Sequence, residues 1–255
     1  MSSECADLRA RLGTRLIGSR WYDHDSLEST NLEALRLAQQ GAPAGTVVRA
    51  DTQTAGRGRL GRSWADLPGR CLLMSVLLQP PASAPGLLTA AAALAAGDAI
   101  NALTGLSAAL KWPNDLLVKG RKVGGVLAEG PARGMVAVGV GINVNGAPQD
   151  LPPPMHEAAT FVSHEAGRAL SIPALAESLA ARLDAVYHLL VAGQARRVIE
   201  AIAARDCLAG RPIRARAGPY AVTGMALRWL EDGRLLIRDD HGHELALEAG
   251  EVTLR

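Results

Sequence analysis

The chain has 255 residues, 48% of them apolar, with a formal net charge of +2. That length suits one large domain plus a small one, and the apolar share is enough for a buried core. The near-neutral balance argues against a general nucleic-acid binder, and three scattered cysteines outside any CxxC pair argue against a disulfide framework or a zinc site.

Residues 1–20 are mixed in character and too few for a winged helix-turn-helix, which needs about three helices. Glu4 and Asp7 and the lack of an apolar run predict no secretory signal. Together with the cysteine usage this points to a reducing cytoplasm. Thr30 and Glu33 have the spacing of a capping box. Leu32, Leu35 and Ala38 then mark one helical face, and Gly41 ends it. Two readings stand: a capped surface helix, or a helix N-terminus whose hydroxyls and N–H groups await an anion.

Thr46 to Ala50 reads as a strand that delivers the stretch Asp51–Trp64, where glycines and arginines alternate: Gly56, Arg57, Gly58, Arg59, Gly61, Arg62. Glycine lets a ligand approach the main chain, and arginine is a fixed planar cation suited to phosphate or carboxylate. Gly56-x-Gly58-x-x-Gly61 also fits the dinucleotide fingerprint, but Ser63 to Gly69 reads as turn, whereas that fingerprint must open a helix. Cys71 to Leu78 is a buried strand stopped by Pro80-Pro81. Leu87 to Leu103 is an Ala-rich helix whose most apolar window is too short to span a bilayer.

Leu110-Lys111-Trp112-Pro113-Asn114-Asp115 precedes a hairpin of Leu116–Val118 and Val123–Glu129, whose Gly124 and Gly125 signal a bulge or a close approach. Met135 to Asn145 is a further strand. Pro173 opens a helix with Leu175, Leu179, Leu183, Val186 and Leu190 on its face, and a second helix covers 194–204. After Cys207 come short strands with turns at Gly218-Pro219, Glu231-Asp232-Gly233 and Asp240-His241-Gly242, the pattern of a small β-barrel.

Arg57, Arg59, Lys111 and Lys122 all fall in loops or at strand ends beside glycine, proline or tryptophan. There is no GxxxxGK[ST], HExxH or GxSxG and no diagnostic acid pair. Cations without a nucleophile imply chemistry by positioning and charge stabilisation, and nucleotidyl transfer from ATP fits that description.

Four motifs carry a resemblance to biotin–protein ligases, in order and spacing. They are Gly56-Arg57-Gly58-Arg59-x-Gly61-Arg62-x-Trp64, Lys111-Trp112-Pro113-Asn114-Asp115, Lys122-x-Gly124-Gly125, and Gly139-x-Gly141-Ile142-Asn143-x-Asn145. Ser29-Thr30-Asn31 and Gln53 match as well. The likeness runs from about Trp21 to Arg255.

The resemblance implies an α+β fold: a central mixed β-sheet catalytic domain flanked by helices, like class II aminoacyl-tRNA synthetases, with a small C-terminal SH3-like β-barrel. It divides the chain into a 1–20 N-terminal segment without a DNA-binding domain, a 21–207 catalytic domain and a 208–255 barrel. The activity it implies is formation of biotinyl-5′-AMP from biotin and ATP, then transfer of biotin to a lysine of a biotin carboxyl carrier protein, with no repressor role.

Carried over by position, Ser29, Thr30, Asn31, Gln53, Gly56, Arg57, Gly58, Arg59, Lys122, Gly124 and Gly125 are expected around biotin. Arg59, Arg62, Trp64, Lys111, Asn114 and Asn143 are expected around the nucleotide, with Trp64 against adenine. Lys111, Arg57, Arg59 and Lys122 are the expected catalytic groups, and Asp115 the Mg²⁺ position. For Trp64 and Trp112 core packing is the competing assignment. Leu60 stands where some relatives carry a further arginine. The expected partners are biotin, ATP and an acetyl-CoA-carboxylase-type carrier domain, with no nucleic acid or membrane, in a monomer or homodimer. Lipoate or octanoate ligation is the nearest alternative. A single-strand nucleic-acid module is the distant one, and only Trp64 stands near the loop to serve it.

Overall fold

The computed structural model describes residues 16–82, 84–217, 220–248 and 250–254. The expectations for Cys5, for the segment before Leu16 and for the Gly218-Pro219 turn lie outside the described residues.

Seven strands form the main sheet: β1 (Arg20–Leu27), β2 (Thr46–Gln53), β3 (Cys71–Leu78), β4 (Ala108–Lys111), β5 (Asp115–Val118), β6 (Arg121–Ala132) and β7 (Met135–Asn143). Their spatial order is β1-β2-β3-β7-β6-β5-β4. β1 and β2 run parallel and the other pairs antiparallel, so the sheet is mixed as expected. β1 is an addition to the sequence reading. It is an edge strand of alternating charge and half-exposed aromatics with no apolar run to mark it.

The described helices are α1 (Thr30–Gln39), α2 (Leu88–Thr104), α3 (Val162–Ala166), α4 (Ile172–Val191) and α5 (Ala195–Ala203), of which α1, α2 and α4 pack on this sheet. The two faces of the sheet differ. Along β3, Leu72, Met74, Val76 and Leu78 point into one core with Val138, Val140 and Ile142 of β7 and the buried residues of α2 and α4. The alternate residues face the other way, as the period of two requires. There α1 covers Val48, Leu77 and Ala137 with Ala34, Leu37 and Ala38.

The inward face of α1 differs from the Leu32–Leu35–Ala38 stripe expected. Thr30 and Asn31 point inward with Ala34, Leu37 and Ala38, while Leu32 and Leu35 are half-buried. A search for apolar spacing alone misses a helix that begins its buried face with polar groups. The expected capping box is also absent. Ser29 takes the N-cap without a side-chain bond, and Glu33 pairs with Arg36 at 2.6 Å instead.

The Ala-rich α2 is buried along most of its length against α4 and the sheet. With its leading turn it spans 20 residues, long and apolar enough to cross a membrane, yet most of it is covered by the fold. Small side chains permit that close packing: a Cβ added at Gly97 would sit 3.4 Å from the Ala108 side chain.

The C-terminal strands are β8 (Pro212–Ala217), β9 (Tyr220–Trp229), β10 (Leu235–Asp239), β11 (Glu244–Leu247) and β12 (Glu251–Leu254). They form an antiparallel sheet in the order β11-β10-β9-β8-β12. Among the described residues the ladder stays open between β11 and β12, so this unit is a five-stranded sheet and the expected barrel closure is not among its pairings. Trp112 joins the two sheets. Its ring is 1% exposed, and its indole N–H donates to the Gly233 carbonyl at 3.0 Å.

Trp112→Phe removes that donor and shrinks a fully buried side chain, for an expected loss of about 1–3 kcal/mol. An unchanged urea midpoint would show that this contact does not hold the sheets together.

Candidate active site

On the same face of the sheet as α1, over the part that α1 leaves uncovered, lies a cavity of about 740 Å³. Strand register builds its floor. Ser75 of β3 stands opposite Gly139 of β7, which stands opposite Leu127 of β6. The next row on the same face crosses five strands: Leu73, Gly141, Gly125, Asp115 and Lys111. All five of that row line the cavity.

The β7 glycines are required by what rests on them. A Cβ at Gly139 would lie 2.5 Å from Asn31 Oδ1, and one at Gly141 would lie 2.8 Å from the Trp64 ring. Bare backbone at these two positions lets the helix N-terminus and the indole sit directly on the strand.

At the α1 end the polar side chains form one network. The buried Ser75 hydroxyl lies 2.7 Å from Thr30 Oγ1 and 2.7 Å from Asn31 Oδ1. Gln53 Oε1 accepts from the Thr30 backbone N–H at 2.8 Å and from its hydroxyl at 3.1 Å. That holds the Gln53 carbonyl and leaves its NH₂ to donate. Asn31 spends both amide hydrogens inside the protein, on the Leu127 carbonyl at 3.1 Å and Glu129 Oε2 at 2.8 Å. Asn31 therefore shapes the wall more than it offers free donors.

The glycine–arginine loop follows β2 with no helix, only a 3₁₀ turn over Arg59–Gly61 and a bridge between Arg57 and Ser63. This agrees with setting aside the dinucleotide fingerprint. Asp66 anchors its base through the Gln53 N–H at 2.7 Å and the Thr52 hydroxyl. Leu60 occupies the left-handed region, φ 58°, with its side chain exposed at the loop tip.

Five cations line the cavity, Arg57, Arg59, Arg62, Lys111 and Lys122, against three carboxylates, Asp115, Glu129 and Glu251. Each carboxylate already holds one cation. Lys122 Nζ lies 2.5 Å from Asp115, Arg57 lies 3.5 Å from Glu129, and Arg62 pairs with Glu251. Arg59 reaches two carbonyl oxygens, Asn114 Oδ1 at 3.2 Å and Gly250 O at 3.3 Å. Burial pushes its guanidinium pKa down, with the like charge of Arg62 adding and Asp115 opposing. The guanidinium stays charged regardless. Lys111 has no carboxylate partner among the described residues. Two positive charges, on Lys111 and Arg59, thus remain available to an anion.

A β-bulge aims Lys122. Pairing of β5 with β6 shifts register between Leu116 and Leu117. Val123 is consequently buried in the helix-side core while Lys122 and Gly125 both face the cavity.

Most residues picked from the sequence gather here: Ser29, Thr30, Asn31, Gln53, Arg57, Gly58, Arg59, Arg62, Trp64, Lys111, Asn114, Asp115, Lys122, Gly125 and Asn143 line the cavity. Gly56 sits behind it, its Cβ position 3.2 Å from Gln53 Nε2, and Gly124 packs toward Ile142 on the core side. Asn114 and Asn143 spend their amides on Val126 O at 2.8 Å and Thr160 O at 3.2 Å. Trp64 lies in the cavity with its indole N–H buried and unpartnered among the described residues.

Sequence reasoning missed Ser75, which bonds Thr30 and Asn31 behind the cavity, and it missed Glu129 and the wall made by Gly250, Glu251, Val252 and Thr253. A serine amid the apolar run Cys71–Leu78 was the one visible signal for Ser75. The other two come from register and from docking of the second sheet.

No three Asp, Glu, His or Cys side chains cluster as a metal cage among the described residues. Cys71 is buried beneath Asn143, 3.9 Å from its Oδ1, and burial pushes its thiol up to about 11, so it is no nucleophile at neutral pH.

Comparison with known proteins gives a consistent picture. The Biotin/lipoate A/B protein ligase family matches residues 24–145. The chain is 37% identical over 234 residues to the biotin–[acetyl-CoA-carboxylase] ligase of Paracoccus denitrificans, covering 88% of this chain and 96% of that relative. It is 36% identical over 197 residues to the bifunctional ligase/repressor BirA of Bacillus subtilis, covering 75% of this chain and 58% of the relative's length. Its fold matches the biotin protein ligase from Aquifex aeolicus solved with biotin and ATP, with TM-score 0.80, 28% identity, and coverage of 93% and 99%.

Gly141→Ala would drive a methyl group into the Trp64 ring, so the tryptophan emission is expected to shift while far-ultraviolet dichroism is kept. An unaltered emission spectrum would show that the ring does not rest on this strand.

Proposed function

The chain belongs to the biotin/lipoate A/B protein ligase family, and we propose that it activates biotin as biotinyl-5′-AMP and passes the biotinyl group to a lysine of a carboxyl carrier protein. The observation that carries this reading is a single cavity with polar groups at one end and cations along its length. Thr30 and Gln53 offer donors and acceptors at the α1 end, and Arg57, Arg59, Lys111 and Lys122 surround the rest. Residues 21–207 form the catalytic domain in this reading, and 208–255 a second domain whose Gly250–Thr253 segment completes the wall.

Biotin's ureido ring has one carbonyl acceptor and two N–H donors. The free NH₂ of Gln53 and the hydroxyls of Ser29 and Thr30 match that set. The carboxylate then lies toward Arg57, Arg59 and Lys122, with Gly58 and Gly125 allowing close approach. Trp64 lies against adenine, and Arg62, Asn114 and Asn143 frame the nucleotide. A carboxylate oxygen attacks the α-phosphorus of ATP. The α–β phosphoanhydride breaks, pyrophosphate leaves, and a mixed anhydride remains. Lys111, with its unpaired ammonium, stabilises the charge that builds on the α-phosphate; Lys122 stabilises the acyl–phosphate oxygen. The neutral amine of the acceptor lysine attacks the acyl carbon, AMP departs and the amine proton is lost. No enzyme nucleophile enters either step.

Asp115 places one carboxylate on the cavity floor, which fits Mg²⁺ held jointly by a carboxylate and nucleotide phosphates and not by a protein cage. When bound, that ion neutralises phosphate charge. The acceptor is a carrier of the acetyl-CoA-carboxylase type, and the setting is cytoplasmic, where Cys71 and Cys207 stay free thiols. The reading assigns the chain no repressor, nucleic-acid or membrane role.

Pyrophosphate exchange into ATP is expected with biotin and not with lipoate; exchange with lipoate alone would overturn the reading. Lys111→Ala is expected to keep the fold and slow adenylate formation by about 10²–10³-fold, and an undiminished single-turnover rate would remove its assigned role. Arg57→Ala and Arg59→Ala are expected to release the adenylate, so that bystander proteins become biotinylated. A blot with a single labelled carrier band would count against the retaining loop.

A further inference from the structure

Glu129 sits where the loop and the α1 network meet. Its register places it on the cavity face of β6, opposite Ala137 of β7. One oxygen accepts from Asn31 Nδ2 at 2.8 Å, and the other lies 3.5 Å from Arg57 Nη1. Asn31 is buried and fixed on three sides, by Ser75, the Leu127 carbonyl and the packing against Gly139. The Arg57 side chain is 45% exposed and rides on a loop. One end of Glu129 is therefore fastened to the buried polar network and the other faces a half-exposed cation on a loop.

We propose that Glu129 is a positioning residue that competes with the bound carboxylate for Arg57, holding the arginine in place in the ligand-free site and weakening retention of the anion. The inference rests on biotin being the ligand. Its logic is one of exchange. A guanidinium already facing a carboxylate gains less from a second one than a free guanidinium does. The 3.5 Å separation suits such a competitor: the pair orients Arg57 without forming the tight two-pronged contact that would resist displacement. Lys122 with Asp115 lacks this linkage to the floor of the polar end, and Arg62 with Glu251 ties the loop to the second sheet instead. Among the described residues, Glu129 is the side chain that bonds Asn31 and pairs with the loop's Arg57.

Glu129→Gln keeps an acceptor for Asn31 and removes the charge facing Arg57. Calorimetric titration with biotin and with biotinamide, its uncharged carboxamide, separates the two effects. Glu129→Gln is expected to bind biotin about two- to fivefold more tightly than the wild type, the range for a partly exposed ion pair, with biotinamide affinity unchanged. Equal weakening of both ligands would mean that Glu129 only supports the fold, and an unchanged biotin-to-biotinamide ratio would mean that Arg57 is not restrained; either overturns the inference. Should Glu129→Gln not fold, Glu129→Asp draws the charge back by one methylene and carries the same expectation for the ratio. If the wild type binds neither ligand, the biotin reading itself fails and this inference with it. If it binds biotin while the ratio stays constant, only the inference fails.

Discussion

Strand register is the constraint on which the site depends. The row Leu73–Gly141–Gly125–Asp115–Lys111 exists because five strands are aligned residue against residue. Slipping one strand by a single position would turn its cavity residues toward the helices and its core residues toward the cavity. The helix-side core resists such a slip. Leu72, Met74, Val138, Val140 and Ile142 would all leave their contacts with α2 and α4, at about 1.5–3 kcal/mol for each large side chain exposed. The apolar face thus fixes the polar one.

Charge in the cavity is arranged the same way, before any ligand arrives. Asp115, Glu129 and Glu251 hold Lys122, Arg57 and Arg62 in place, and the carbonyls of Asn114 and Gly250 hold Arg59. Holding flexible side chains in advance reduces the entropy lost when an anion binds. The cost is a weaker field than five free cations would produce. The acyl-adenylate chemistry proposed above suits that compromise, because it calls for a cavity that binds a charged intermediate and also gives it up to an acceptor amine.

Much of this was legible in the sequence, for identifiable reasons. β3 matched its expected bounds, Cys71–Leu78, because an apolar run interrupted only by Ser75 is the mark of a strand buried on both faces. The loop was legible because glycine beside arginine joins backbone freedom to a fixed planar cation, and most of the residues chosen from the motifs do line one cavity. What stayed hidden came from tertiary context. β1 carries its pairing in the backbone and shows no pattern in its side chains. The inward face of α1 begins with Thr30 and Asn31, which composition assigns to a cap. Glu129 and the Gly250–Thr253 wall are ordinary polar residues until β6 and the second sheet are in position. A small β-barrel was inferred from short strands and turns, and its SH3-like form from the family resemblance; those strands pair as an open sheet among the described residues.

The bulge between β5 and β6 has a consequence for how the site tolerates change. A strand is a parity code: odd residues see one environment and even residues the other. With regular alternation from Gly125, Val123 would point to the cavity and Lys122 would point to the core beside Leu116 and Ile142. An ammonium there would be stripped of water among aliphatic side chains, a penalty of several kcal/mol. The irregularity at Leu116/Leu117 resets the parity once, so that valine and lysine both reach the environment they suit. Straightening this bulge with every residue kept would therefore be a frameshift in three dimensions. Every motif letter downstream would survive in the sequence, while the cation that faces Asp115 would be sent to the wrong side of the sheet.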